Sequence, residues 1–135
     1  MVILVDTSVW IEHLRRTQSR AHLEFRALAT TEPASIATCG PIAMELLAGP
    51  TDPFTVRRIE DQLGTVDDLI VDPAEDFRAA AAIARAVRRN GDTVRSLTDC
   101  LIATVALRYD ATLWHCDADY ARIADVTDLN QCDLN

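Results

Sequence analysis

The chain opens on Val2-Ile3-Leu4-Val5, an uninterrupted apolar run too short for a helix, and the run stops on a carboxylate, Asp6. Such a run is the mark of a strand buried on both faces, which arises where helices cover both sides of a parallel sheet. Thr7 and Ser8 follow as helix-capping residues, and Trp10, Ile11 and Leu14 recur at helical spacing. A buried strand feeding at once into a helix confines the chain to α/β architectures.

The same alternation continues. Residues 35–38, 69–71, 112–115 and 126–127 read as further strands, the last at a sheet edge, and 130–135 reads as a polar tail. Helices are expected over about 19–28, from Pro41 to Gly49, over 53–63, and in a short stretch around 119–124. The clearest begins with Asp72 as N-cap, Pro73 in the first turn and Glu75 completing a capping box. Its apolar stripe runs through Phe77, Ala80, Ala81, Ala84 and Val87, and Gly91 ends it. The segment from Ser96 to about Tyr109 is apolar on nearly every side, which suits a helix buried against the sheet. The expected fold is a three-layer α/β/α sandwich around a parallel sheet of about five strands, as one domain over residues 1–135.

Four acidic residues lie in segments that have little use for charge. Asp6 ends the first strand, Glu45 sits inside Pro-Ile-Ala-Met-Glu-Leu-Leu-Ala-Gly, Asp99 is near the start of the apolar helix, and Asp117 follows Thr-Leu-Trp-His-Cys. Asp6 and Asp117 fall at the carboxyl ends of strands, where open parallel sheets form their ligand crevice. Asp99 falls in a first helical turn, so three separate segments can converge there. Gathered carboxylates repel one another, and a hard divalent cation with oxygen ligands relieves that repulsion. Each acid also has a local structural use. Asp6 and Asp117 suit helix caps, Ser96-Leu97-Thr98-Asp99 is a capping-box pattern, and Asp119 suits the first turn of a short helix. Convergence is therefore what the functional reading requires.

Composition removes several chemistries. All 13 basic residues are arginine, so a P-loop, a receiver-type phosphate lysine and Schiff-base catalysis are excluded. His13, His22 and His115 form no ligand-like pair, which argues against a histidine-based zinc site. Cys39, Cys100, Cys116 and Cys132 are scattered, as expected of free thiols in a reducing compartment. No apolar run approaches the ~18 to 20 residues that cross a membrane. The N-terminus carries no basic segment ahead of its apolar run, so a cytoplasmic protein is expected. The net charge of −8 runs against a nucleic-acid partner, but arginines are grouped at Arg15, Arg16 and Arg20, at Arg57 and Arg58, and at Arg85, Arg88, Arg89 and Arg95. Guanidinium forks of this kind bind phosphate.

Val-Asp-Thr-Ser-Val-Trp-Ile at 5–11, the Glu45 segment, Leu-Thr-Asp-Cys-Leu-Ile-Ala-Thr-Val-Ala at 97–106 and His-Cys-Asp-Ala-Asp-Tyr at 115–120 together resemble the PIN-domain ribonucleases, and more narrowly the VapC toxins of bacterial toxin-antitoxin pairs. The resemblance implies a Mg²⁺- or Mn²⁺-dependent endoribonuclease, a homodimer, and a cognate VapB-type antitoxin that assembles with the toxin and blocks its acidic pocket. It also implies that the family's four acids fall on Asp6, Glu45, Asp99 and Asp117, with a further metal-binding acid on Asp119 and hydroxyl positions on Thr7 and Thr98. A haloacid-dehalogenase-type phosphatase is the competing enzyme class, but its second acid would fall on Ser8. A non-catalytic PIN-like module that only binds antitoxin or RNA is the other alternative.

Overall fold

The computed structural model describes residues 1–135. Five strands, β1 (Ile3–Val5), β2 (Ile36–Cys39), β3 (Asp67–Leu69), β4 (Thr112–His115) and β5 (Gln131–Asp133), form one sheet in the order β3-β2-β1-β4-β5. Every neighbouring pair is parallel. Every residue of β1 and β2 is buried, as the uninterrupted apolar run at 2–5 requires, and the fold is a three-layer α/β/α sandwich.

The helices are α1 (Thr7–Leu14), α2 (Arg20–Thr31), α3 (Gly40–Ala48), α4 (Pro53–Leu63), α5 (Asp76–Arg89), α6 (Leu97–Arg108) and α7 (Asp119–Ala124). Local chemistry sets their ends. Ser19 caps α2 by accepting the His22 N–H, Asp52 caps α4 through Thr55, and Ser96 caps α6 through Thr98. Past the end of α5, Gly91 takes φ 86°, the left-handed conformation that a glycine adopts without a Cβ clash. Helix α6 buries Cys100, Ile102, Ala103, Val105 and Ala106 and packs along the Ala80, Ile83, Ala84 and Val87 stripe of α5. The small Ala103 and Ala106 side chains keep this central helix close to its neighbours.

Three local expectations are corrected. The fifth strand is not at 126–127, where Val126 N–H and the Thr127 hydroxyl both donate to the Ile123 carbonyl and close the turn after α7. It is β5, inside the segment read as a polar tail, paired with β4 from Leu113↔Gln131 to His115↔Asp133 and anchored by buried Leu129 and Leu134. An edge strand is held by main-chain pairing and needs no apolar side chains. The third strand is 67–69 rather than 69–71, so Asp67 and Asp68 lie on the exposed edge and Ile70 is beyond it. Helix α5 starts at Asp76 rather than at a cap on Asp72. Asp72 turns back on the Ala74 N–H, and Asp76, not Glu75, accepts the Asp72 N–H at 2.8 Å.

Between β1 and β4 the strand order reverses direction, and the carboxyl ends of two such strands are where open parallel sheets form their ligand crevice. Asp6 follows β1 directly and Asp117 follows β4 by two residues. The Asp6 N–H donates to the Trp114 carbonyl at 2.9 Å, locking the two strand ends side by side.

Candidate active site

Asp6, Asp99, Asp117 and Asp119 converge at this crevice, and Glu45 stands at its rim. Carboxylate oxygens of Asp99, Asp117 and Asp119 lie within 4.8 Å of one another. Asp6 is tied to the group through Tyr120, whose hydroxyl donates to Asp6 Oδ1 at 2.6 Å and lies 3.3 Å from Asp99 Oδ1. Glu45 is outside the tight cluster. It is half-buried on α3, where the Thr7 hydroxyl donates to its Oε1 at 2.6 Å, and Thr7 adjoins Asp6.

The local structural uses of these acids are realised unequally. Asp6 does cap α1, accepting the Ser8 N–H at 3.0 Å through Oδ2, while Oδ1 faces Tyr120. One carboxylate thus fixes the helix and enters the cluster. Asp99 makes no capping-box return to Ser96, because the Thr98 N–H is what Ser96 receives, so its carboxyl is free to face the other acids. Asp117 is held from two sides. His115 Nδ1 accepts its N–H at 3.1 Å, and its Oδ1 accepts the Asp119 N–H at 2.9 Å.

Burial and mutual repulsion separate the charge states of the central pair. Burial first, then a shared proton with Asp119 and the charges of Asp117 and Asp6, push Asp99 up to about 8. Burial also opposes the charge on Asp119, but the proton shared with Asp99 and donors from the Arg95 backbone and guanidinium hold it below the usual carboxylate range. Asp99 carries the proton and Asp119 the charge. Tyr120, raised well above its ordinary value by burial and by Asp6 and Asp99, stays a neutral donor.

Two arginines face the cluster. Arg95 Nη2 is 2.8 Å from Asp117 Oδ1, its Nε is 3.4 Å from Asp119 Oδ1, and its backbone N–H donates to Asp119 Oδ2 at 3.0 Å. Arg122 Nη1 is 2.8 Å from Asp119 Oδ1. The donor set is all carboxylate oxygen, with no nitrogen or sulfur, which fits a hard divalent ion such as Mg²⁺ or Mn²⁺ rather than zinc or copper.

Sequence reasoning assigns no role to Tyr120 or Arg122, reads Ser8 as a helix cap where Asp6 is the cap, and reads Arg95 only as one of a basic group. A signal for Tyr120 does exist, since a buried phenol needs a partner for its hydroxyl and this one directly follows Asp119. Ser8 donates to Asp6 Oδ2 at 2.5 Å and accepts the Cys116 N–H at 3.0 Å, joining the ends of β1 and β4. The cysteines beside the site are inert thiols, because burial first and nearby carboxylates second push Cys100 and Cys116 up to about 11.

A nuclease-like acid cluster at the switch point of a parallel α/β sheet defines the class. The PIN domain family profile matches residues 3–126, and the chain belongs to that family. The chain is 51% identical over 128 residues to "Ribonuclease VapC11" of Mycobacterium tuberculosis H37Rv, covering 95% of this chain and 96% of that protein. In fold it is similar to the structure described as VapBC2 from Rickettsia felis bound to a promoter DNA fragment. That likeness has a TM-score of 0.78 at 16% identity and covers 100% of both chains. It is also similar to VapBC-1 from nontypeable Haemophilus influenzae, with a TM-score of 0.76 at 19% identity over 99% of this chain and 98% of that one.

Proposed function

We infer that this chain is the toxin of a VapBC-type toxin-antitoxin pair, a cytoplasmic endoribonuclease that hydrolyses RNA phosphodiesters and is neutralised by a cognate VapB-type antitoxin. The near full-length relatives named as VapC ribonucleases support the activity, and the VapBC structures of like fold support the antitoxin partner. The residues 1–135 act as a single PIN-like domain, and two copies form a homodimer. Exposed Met44 and Phe54 on α3 and α4 are consistent with apolar surface kept for assembly. No helix is long and apolar enough to cross a membrane.

The observation that carries the mechanism is the convergence of Asp99, Asp117 and Asp119, from two distant segments, with Asp6 joined through Tyr120. Asp6, Asp99, Asp117 and Asp119 would hold Mg²⁺ or Mn²⁺, and Glu45 would complete the metal site or orient the attacking water from the rim. When bound, the ion lowers the pKa of a coordinated water and stabilises charge on the phosphoryl oxygens. Tyr120 and Ser8 fix both oxygens of Asp6, and His115 fixes the segment that carries Asp117, so the acids are held before the ion arrives. Asp99, held protonated by burial and its acidic neighbours, would have to ionise to serve as a ligand.

The test is RNA cleavage by antitoxin-free protein with Mg²⁺, with Mn²⁺ and with EDTA, beside Asp6→Asn, Glu45→Gln, Asp99→Asn and Asp117→Asn. Cleavage that needs the metal and is lost in the aspartate variants supports the reading. Full activity in EDTA, or in Asp99→Asn, refutes it.

A further inference from the structure

Positive charge gathers a second time, away from the acids, where the end of α1, the start of α2 and the middle of α4 meet. A concavity of about 410 Å³ is lined there by His13, Arg16, Gln18, His22, Arg26 and Arg58, with Leu14 its one apolar residue and no carboxylate in its wall. In a chain of net charge −8 this is an unbalanced cluster. The ion pairs of the protein use Arg20, Arg95, Arg108 and Arg122, so Arg16, Arg26 and Arg58 have no acidic partner.

The second observation is His22. Its side chain lines the cavity although the residue is only 2% exposed. Nδ1 accepts the Gln18 backbone N–H at 3.0 Å, which leaves Nε2 as the ring's N–H donor. Nε2 makes no hydrogen bond within the protein, and the ring forms part of the cavity wall. Beside it, burial first and then the neighbours His22, Arg16 and Arg26, which disfavour a further positive charge, hold His13 below its ordinary value. Gathering uncompensated arginines around an unpartnered N–H donor in one concavity is unfavourable unless an anion completes it.

We propose that this cavity is a subsite for a backbone phosphate of the RNA strand, remote from the scissile bond, held by the Arg16, Arg26 and Arg58 guanidiniums and the His22 Nε2–H. The proposal rests on the ribonuclease reading and adds a strand path to it. Leu14 and Arg58 also line a neighbouring groove of about 310 Å³ that holds Arg15 and reaches Glu45 at the rim of the acid centre, so the basic cavity lies next to a concavity that adjoins the site. Guanidinium forks and a single N–H match phosphate oxygens without reading bases, so the subsite adds affinity and strand direction rather than sequence choice.

The experiment is binding of a short fluorescent single-stranded oligoribonucleotide to the full chain in EDTA, followed by anisotropy across a salt series. Arg16→Gln combined with Arg26→Gln changes two exposed side chains and leaves the groove beside Glu45 untouched. The double variant is expected to bind about tenfold more weakly, with a salt slope shallower by about 0.7 for each phosphate it no longer neutralises. Its Mn²⁺ affinity, read by calorimetry, stays at the wild-type value. Inorganic phosphate should displace the oligoribonucleotide from wild type more readily than from the variant. Wild-type RNA affinity and salt slope in the variant, while the wild-type chain cleaves RNA, overturn the subsite and leave the ribonuclease reading standing. The subsite is equally overturned if the variant loses affinity only for an acidic peptide. A wild-type chain that neither binds nor cleaves RNA overturns the ribonuclease reading itself.

Discussion

The Tyr120 hydroxyl donates to Asp6 Oδ1 at 2.6 Å across 114 positions of sequence and reaches Asp99 Oδ1 at 3.3 Å. One neutral donor therefore stands between two carboxylates from opposite ends of the chain, and it stays neutral because burial and those same charges oppose its ionisation. Tyr120→Phe should leave both oxygens without that donor. The expected loss is about 1 to 3 kcal/mol of stability, or roughly 3 °C of melting temperature per kcal/mol in a domain this size. Mn²⁺ should restore part of it, since a cation takes over the unpaired oxygens. Thermal melts with and without Mn²⁺ check this, and superimposable melts of variant and wild type would sink it.

Asp99 is the acid whose charge the metal-free fold suppresses. Its folded pKa is raised from 3.8 to about 8, so its contribution to stability is fully present below the unfolded value and fades as pH rises through the folded one. In EDTA, stability should fall between about pH 4 and pH 8. Asp99→Asn resembles the protonated acid in shape, so it should flatten that decline and keep the fold at pH 7, yet lose metal-dependent cleavage. Urea unfolding across this range, together with an RNA cleavage assay, measures both. A variant that unfolds at neutral pH would contradict the assigned protonation.

The parts of this protein legible in sequence are those with one dominant cause. Residues 2–5 are apolar because β1 is covered on both faces, and Asp6 and Asp117 follow from the rule that parallel sheets open their crevice at strand ends. Edges are harder. Gln131 to Asp133 join the sheet through backbone pairing alone, and no periodicity of side chains reports that. The start of helix α5 departs from its capping pattern because Asp76 is committed to Arg108 through the tertiary fold, which no local pattern reveals. At the site the acids are visible one by one, but Tyr120 and Arg95 gain their roles only when α7 and the α5–α6 connection are brought against them.

Arg95 occupies two of the acids that a cation needs. Its guanidinium is largely exposed and pairs with Asp117 and Asp119. An exposed pair adds little to stability, but a fixed positive charge beside an ion site opposes a second cation. Arg95→Gln should therefore bind Mn²⁺ about three- to tenfold more tightly while melting within a degree or two of wild type. Isothermal titration with Mn²⁺ gives the answer. Weaker binding in the variant would mean that Arg95 organises the acids rather than competing for them.

Asp76 and Arg108 test the fold apart from the site. Asp76 is almost fully buried, and Arg108 meets it through Nε at 2.9 Å and Nη2 at 2.8 Å while also donating to the Ile70 carbonyl, tying α5, α6 and the end of β3 together. The Arg108 hydrogen bond, opposed by burial and helped by the Asp72 N–H, holds Asp76 below the usual carboxylate range. A depressed folded pKa stabilises above the unfolded value, near 3.9, and that stability is lost as pH falls through the folded value. Arg108→Met removes the partner and leaves a buried carboxylate. Because the guanidinium is partly open to water, the expected cost at pH 7 is about 2 kcal/mol rather than the 3 to 5 of a fully enclosed pair. The gap between variant and wild type should narrow as pH drops below 4, where wild type loses the stability that its ionised pair contributes. Urea unfolding at pH 7 and in the acid range measures it, and a gap that widens on acidification would show that the pair is not what holds these elements together.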